Sequence, residues 1–191
     1  MIKNLAPITF FAYNRPEHAR ITIEALKKNS LASESELFIF SDGAKNDDEN
    51  DLEKVKQVRE YLKTIDGFKS VKIFERGKNY GCAKNIVDGV TQIVNEFGKI
   101  IVVEDDILTS PYFLNYVNDA LELYKDDERV CNVDAYLSPF EFENMPQSFF
   151  APFVEIWGWG TWQRAWKYYE FDAGKLLDKI TEGGGGQSFN F

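Results

Sequence analysis

The sequence predicts an α/β fold, a mostly parallel sheet with helices on both faces. Three observations carry that prediction. Short β-rich apolar runs alternate with polar turns and stretches of helical period through the first two thirds of the chain. One run, Lys99–Val103 (KIIVV), is continuously apolar, as in a central parallel strand buried on both faces. A composition of 44% hydrophobic and 28% charged residues is that of a globular chain rather than a disordered one, and 191 residues suit one domain, or one domain with a small lobe.

Each element has its own signal. Leu5–Tyr13 (LAPITFFAY) reads as the first strand, and Pro16, suited to the first turn of a helix, opens a helix to about Asn29. Glu36–Ser41 (ELFIFS) is the second strand; Leu52, Val55, Val58, Leu62 and Ile65 mark one face of the next helix. Val71–Phe74 is a third strand, and Ile86, Val90, Ile93, Val94 and Phe97 keep helical spacing before Lys99–Val103. A helix with Phe113, Leu114, Val117, Leu121 and Tyr124 inward follows, then a strand at Arg129–Val133.

The last third differs. Phe140–Phe153 has no clear period, and Trp157–Trp166 (WGWGTWQRAW) holds all four tryptophans. Sugar rings stack their C–H faces on aromatic planes, so Trp157 and Trp159, beside Gly158 and Gly160, suit a carbohydrate platform with close backbone approach. Trp162 and Trp166, four apart, suit a buried helical face. Gly183–Gly186 favours neither helix nor strand; it reads as a linker or placeholder and stands outside the fold reasoning. The expected organisation is a binding half at residues 1–135 and a second half at 136–191, incomplete at its C-terminus.

Charge and special residues exclude several classes. With 22 Lys and Arg against 31 Asp and Glu, the net charge of −9 disfavours binding to nucleic-acid phosphates. Met1–Tyr13 reads as a strand rather than a signal peptide, and no run approaches the ~20 apolar residues of a membrane span. Cys82 and Cys131 lack metal-ligand spacing and read as buried free thiols, which suits a reducing, cytoplasmic setting, peripheral to a membrane at most. His18, the lone histidine, reads as surface or packing, and no serine sits in a nucleophile-elbow context, so Ser/His/Asp and Cys/His chemistry lack support.

In open α/β sheets ligands bind at the carboxyl ends of the strands. Those ends carry Asn14-Arg15, Asp42-Gly43, Arg76–Gly81 and Glu104-Asp105-Asp106. The acidic triplet is the strongest signal. Three adjacent carboxylates behind a buried strand repel one another unless a cation neutralises them, and Mg²⁺ or Mn²⁺, held by one or two carboxylates and completed by phosphates and water, is the natural partner. The alternative is a helix or turn cap. Asp42 can receive the N3–H of a uracil ring, or make an Asx turn with Gly43. Arg15 lies near a nucleotide or is a solvated first-turn residue.

Taken in order, PITFFAYNRP, FIFSDGA, GKNYGCAKN and IIVVEDDI resemble the GT-A-fold glycosyltransferases, over about Leu5–Trp166. The similarity is to the inverting branch that includes N-acetylglucosaminyltransferase I and to bacterial family-2-like sugar transferases with a WGWGTW-type segment. The resemblance implies a Rossmann-like three-layer sandwich on a mixed, mostly parallel central sheet. It implies nucleotide contacts from Ala12, Tyr13 and Arg15, a base contact from Asp42, Asp105 facing the ribose and Asp106 holding Mn²⁺ or Mg²⁺. Glu104 would lie near the transferred sugar, Asn79 and Gly81–Asn85 beside the diphosphate or ribose with Lys84 on a phosphate, and Trp157 and Trp159 at the sugar and acceptor pocket.

The expected reaction is inverting, metal-dependent transfer of a sugar from a nucleotide-diphosphate donor, UDP above all, to a hydroxyl of a glycan, glycolipid or protein. The catalytic base is not identifiable in the sequence, so the chain is expected to bind donor and metal but to turn over acceptor slowly, with Glu155 and Asp172 the first residues to test otherwise. A non-catalytic carbohydrate-binding remnant is the alternative. A sugar nucleotidyltransferase ranks lower, because Tyr13–Glu17 lacks the glycines of a phosphate-cradling loop.

Overall fold

A computed structural model describes residues 4–45, 48–137, 146 and 148–182. The glycine run and half of the Phe140–Phe153 segment lie outside these. The order is β1 (Ile8–Ala12), α1 (Pro16–Lys27), β2 (Glu36–Ser41), α2 (Glu49–Leu62), β3 (Ser70–Glu75), α3 (Cys82–Phe97), β4 (Lys99–Glu104), α4 (Phe113–Leu123), β5 (Asn132–Asp134), β6 (Trp159–Trp162), α5 (Gln163–Trp166) and α6 (Ala173–Glu182). The sheet runs β3-β2-β1-β4-β6-β5. The first four strands are parallel; β6 lies antiparallel between β4 and β5, so β5 again points with β4.

Strand periodicity divides the core into two. Ile8, Phe10, Leu37, Ile39, Ile101 and Val103 face α1, α2 and α4 through Ile23, Leu26, Val58, Leu62, Leu114, Val117 and Leu121. Their alternates Phe11, Phe38, Phe40, Ile100 and Val102 face α3 through Val90, Ile93 and Val94. All five residues of β1 are buried, as a strand covered on both sides requires. The layers are therefore helix, sheet, helix, with every parallel strand end on one edge.

Four expectations change. WGWGTW is a strand at Trp159–Trp162 rather than a platform: residues three apart in a strand face opposite sides, so Trp159 packs toward α3 and Trp166, while Trp162 packs toward α4 and donates its Nε1–H to Leu121 O at 3.0 Å. Gly160 is small for α4, since a Cβ there would meet Val117 Cγ1 at 2.8 Å. β5 starts later than Arg129 because Asp127 caps a turn, accepting from Arg129 N–H at 3.0 Å through its side chain and from Val130 N–H at 3.1 Å through its carbonyl. The inward face of α2 is Asp51, Val55, Val58 and Leu62, while Leu52 is exposed and Ile65 lies past the helix. Both cysteines are exposed rather than buried.

Candidate active site

The parallel strands bring Phe11–Arg15, Asp42, Lys45, Asn79, Gly81, Cys82, Asn85, Ile86, Glu104 and Asp105 around one cleft of about 400 Å³. Of the residues named from the sequence, Ala12, Tyr13, Arg15, Asp42, Asn79, Glu104 and Asp105 line it. Glu104 also borders an open groove of about 1590 Å³, whose wall includes Asp106, Tyr136, Glu155 and Trp157. Glu104 thus stands at the junction of the two spaces.

The triplet begins on Glu104, the last residue of β4, and continues into the turn beyond it. Asp105 is buried, with Oδ1 held by Arg15 Nη2. The same guanidinium reaches Asp106 Oδ2 at 3.1 Å, and the Asp106 side chain is half-exposed. Thr22 Oγ1 donates to Asp105 O at 3.0 Å, fixing the turn against α1. The other Asp105 oxygen, Oδ2, is buried without a hydrogen-bond partner among the described residues. Burial pushes the Asp105 carboxyl up despite its Arg15 partner. Burial also raises Glu104, and the charges of Asp106 and Asp105 add to it. Cys82 sits at the start of α3 with Sγ 3.8 Å from Glu104 Oε2, and burial together with the carboxylates raises its thiol.

Asp42 is 4% exposed and fully engaged with backbone. Its Oδ1 accepts from Gly43 N–H at 2.9 Å and Tyr80 N–H at 2.8 Å, and its Oδ2 from Gly81 N–H at 3.0 Å. The Asx turn and a long-range anchor are thus both present. Gly43 is required by close packing, as a Cβ would meet the Lys78 carbonyl carbon at 2.4 Å. Asn79 Nδ2 donates to Gly43 O at 2.7 Å, closing the same loop pair. Arg59 ties it from behind, donating to Arg76 O at 2.7 Å and Asp42 O at 3.2 Å.

Three named residues stand elsewhere. Lys84 is on the exposed side of α3, paired with Asp88 at 2.7 Å. Trp159 is 7% exposed and stacks on Trp166 at 6.0 Å, so its expected place at the pocket is corrected to the core. Asp172 caps α6, accepting from Gly174 N–H at 2.9 Å, away from both spaces. Trp157 lines the groove, 57% exposed, with Tyr136 at 4.7 Å. His18 is exposed, as expected.

Sequence reasoning missed Asp51 and Asp134. Asp51 accepts from Tyr13, Asn14 and Lys45 at the cleft, and its signal was helical spacing with Val55, Val58 and Leu62. Asp134 ends β5 on the groove, accepting from Glu155 N–H at 3.1 Å, and burial pushes its carboxyl up. The rule that reads the residue at each strand's carboxyl end, applied to β5, points to it.

Among the described residues no group of three or more His, Cys, Asp and Glu could hold a metal ion by itself, and no helix is long and apolar enough to cross a membrane. No curated protein matches the chain. Among solved structures, a mannosyltransferase from Pyrobaculum calidifontis, in complex with GDP-Man and Mn²⁺, shares the fold with a TM-score of 0.51 and 13% identity over 72% of this chain and 37% of that one. TarS of S. aureus aligns at 0.41 and 17% identity over 63% of this chain and 20% of that one, and its 1–349 form at 0.44 and 17% over 66% and 34%. The chain therefore spans little more than a third, at most, of these structures. The mixed, mostly parallel sheet is a glycosyltransferase-type fold. A family description, GNT-I family, matches residues 1–149, and with most of its length covered the chain belongs to that family.

Proposed function

We propose that the protein transfers a sugar from a nucleotide-diphosphate donor, UDP-linked, to an acceptor hydroxyl with inversion at the anomeric carbon. The observation that carries this reading is the convergence of the carboxyl ends of β1, β2 and β4 and the start of α3 on one cleft, with the acidic triplet at its junction with the groove. The nucleotide occupies the cleft, Arg15 offers its guanidinium to phosphate, and Trp157 offers an aromatic face to sugar or acceptor.

The triplet fits a divalent ion such as Mn²⁺ or Mg²⁺ through Asp106, with the unpartnered Oδ2 of Asp105 alongside. Such an ion takes one or two carboxylates and completes its shell with substrate phosphates and water. When bound, the ion supplies positive charge to offset that of the departing diphosphate. Glu104 lies where the transferred sugar meets the groove. The acceptor proton passes to a groove carboxylate, for which Asp134 and Glu155 are placed. The acceptor is a neutral or basic hydroxyl compound, since the groove wall carries Glu104, Asp106, Asp119, Asp134 and Glu155 against Arg129.

The test is release of UDP from a UDP-sugar, with and without Mn²⁺ and with and without glycan acceptors, beside a thermal-shift panel of UDP, GDP, CDP and dTDP. Mn²⁺-dependent stabilisation by UDP and UDP release are expected. A chain that binds sugar but neither binds nor cleaves the nucleotide would be a carbohydrate-binding module.

A further inference from the structure

The open groove of about 1590 Å³ exceeds the roughly 300–1,000 Å³ of an ordinary small-molecule site, and its two ends differ in chemistry. At one end Glu104, Asp106 and Asp134 stand at the carboxyl edge of the sheet, with the Tyr136 and Trp157 rings beside them. From there the groove follows α4, whose residues Tyr116, Ala120 and Leu123 continue the face begun by Tyr112. At 1.5 Å per residue that face runs about 16 Å. Because β5 points with β4, the helix that joins them returns toward the opposite edge of the sheet.

The far end is walled by Leu123, Tyr124, Val130 and Phe150, with Phe150 edge-on to Tyr124 at 5.4 Å between ring centres. Leu123 and Phe150 are largely exposed, as are Leu108, Val154 and Ile156 along the same groove. Large apolar side chains exposed side by side mark a binding surface. Aromatic rings alone would suit sugars, but aliphatic side chains present no flat face, and hydroxyls set against them lose water without gaining a partner. An extended free glycan therefore fits this end poorly. An apolar chain fits it, because its burial leaves no polar group to satisfy. Arg129, the cation among the described lining residues, is engaged by Asp127 at 2.7 Å, so the carboxylates of the wall disfavour an anionic head.

We propose that the groove takes an amphiphilic acceptor, with a neutral hydroxyl-bearing head at Glu104 and Asp134 and an apolar tail laid along α4 to Leu123 and Phe150. This names the acceptor class for the sugar transfer proposed above and rests on that reading. Continuity with the donor cleft at Glu104 fixes which end holds the head. The occupant is a single amphiphile, since its reacting hydroxyl must reach that junction.

The test is calorimetric affinity of the full chain for butyl, hexyl and octyl β-glucoside below micelle-forming concentrations, beside UDP with Mn²⁺. A fully buried methylene is worth about fourfold in affinity, and an open groove covers each in part, so octyl should bind at least about tenfold more tightly than butyl, one molecule per chain. Leu123→Asp, at an exposed position, should flatten the series, whereas Leu177→Asp, on α6 outside the groove, should leave it unchanged. Should Leu123→Asp fail to fold, Phe150→Ser tests the same end. Equal affinity across the series with UDP binding intact overturns the inference and leaves the donor reading standing, as does an unchanged slope in a folded groove variant. Tighter binding of octyl phosphate than of octyl glucoside, retention of the chain on phosphatidylcholine vesicles, or a dimer that Leu123→Asp dissociates would each give the groove another occupant and overturn it too. A slope with chain length in a chain that binds no nucleotide keeps the groove's occupant and sinks the donor reading.

Discussion

The two sides of the sheet's carboxyl edge are built differently. On the β1–β2 side, Asp42, Asn79 and Arg59 join loops from distant parts of the chain through side chain to backbone bonds, Asp51 does so through the side chains of Tyr13 and Asn14, and the cleft walls are held before any ligand arrives. On the β5–β6 side, Leu108, Tyr112, Leu123 and Phe150 are each more than 70% exposed and the groove is open. The contrast teaches that one half binds by preorganisation, where little ordering cost remains, and the other offers surface.

The largest effect that would sharpen this contrast lies in the tryptophans. Trp159→Ala should cost about 3–5 kcal/mol in urea unfolding, as for a fully packed aromatic, whereas Trp157→Ala, at an exposed position, should stay within about 0.5 kcal/mol. Loss of acceptor-dependent turnover in Trp157→Ala with UDP affinity intact would assign the groove; equal destabilisation by both would erase the contrast. Next, Asp106→Ala should remove Mn²⁺-dependent thermal stabilisation by UDP while the fold persists, because the variant also relieves like-charge repulsion. Full retention of that stabilisation would rule out the metal assignment.

Asp42→Asn comes third. Exchanging an acceptor-only group for an amide among three backbone N–H groups should cost about 1–3 kcal/mol. If its work is to hold the Tyr80–Gly81 loop, UDP and CDP should weaken together; a selective loss of UDP would return Asp42 to direct contact with the base. The smallest effect concerns pH. Asp134, raised by burial, keeps its proton in the folded chain over a window where the unfolded chain has lost it, so stability falls as pH climbs from the ordinary carboxylate range through its folded value. Asp51, lowered, works in the opposite sense: its contribution is complete above the ordinary range and is lost as pH falls through its folded value. Urea midpoints against pH should show Asp134→Asn flattening the first limb and sparing the second.

Legibility followed the range of the interactions. KIIVV and ELFIFS announced β4 and β2 because a strand covered on both faces has only apolar residues to offer. Residues at the ends of such strands share an edge by topology, so Arg15, Asp42 and Glu104 could be named together, whereas Ala12 and Tyr13 came from the family resemblance. Asp51 escaped because an acid in a first turn reads as a favourable helix-dipole charge, and the spacing that buries it was assigned to Leu52 instead. Trp159 was misplaced because alternating glycine and tryptophan carries no apolar stripe of its own.

By itself the sequence determined the parallel half, since burial on both faces and period two are local properties, and it determined that an acidic triplet ends the central strand. Only the tertiary structure decided that β6 inserts between β4 and β5, pairing Lys99 with Trp162, and that Asp42 and Asp51 accept from loops 37–39 residues away. Such bonds form only after the sheet has closed and brought remote loops together, and a carboxylate's partners are set by that closure rather than by its neighbours in sequence.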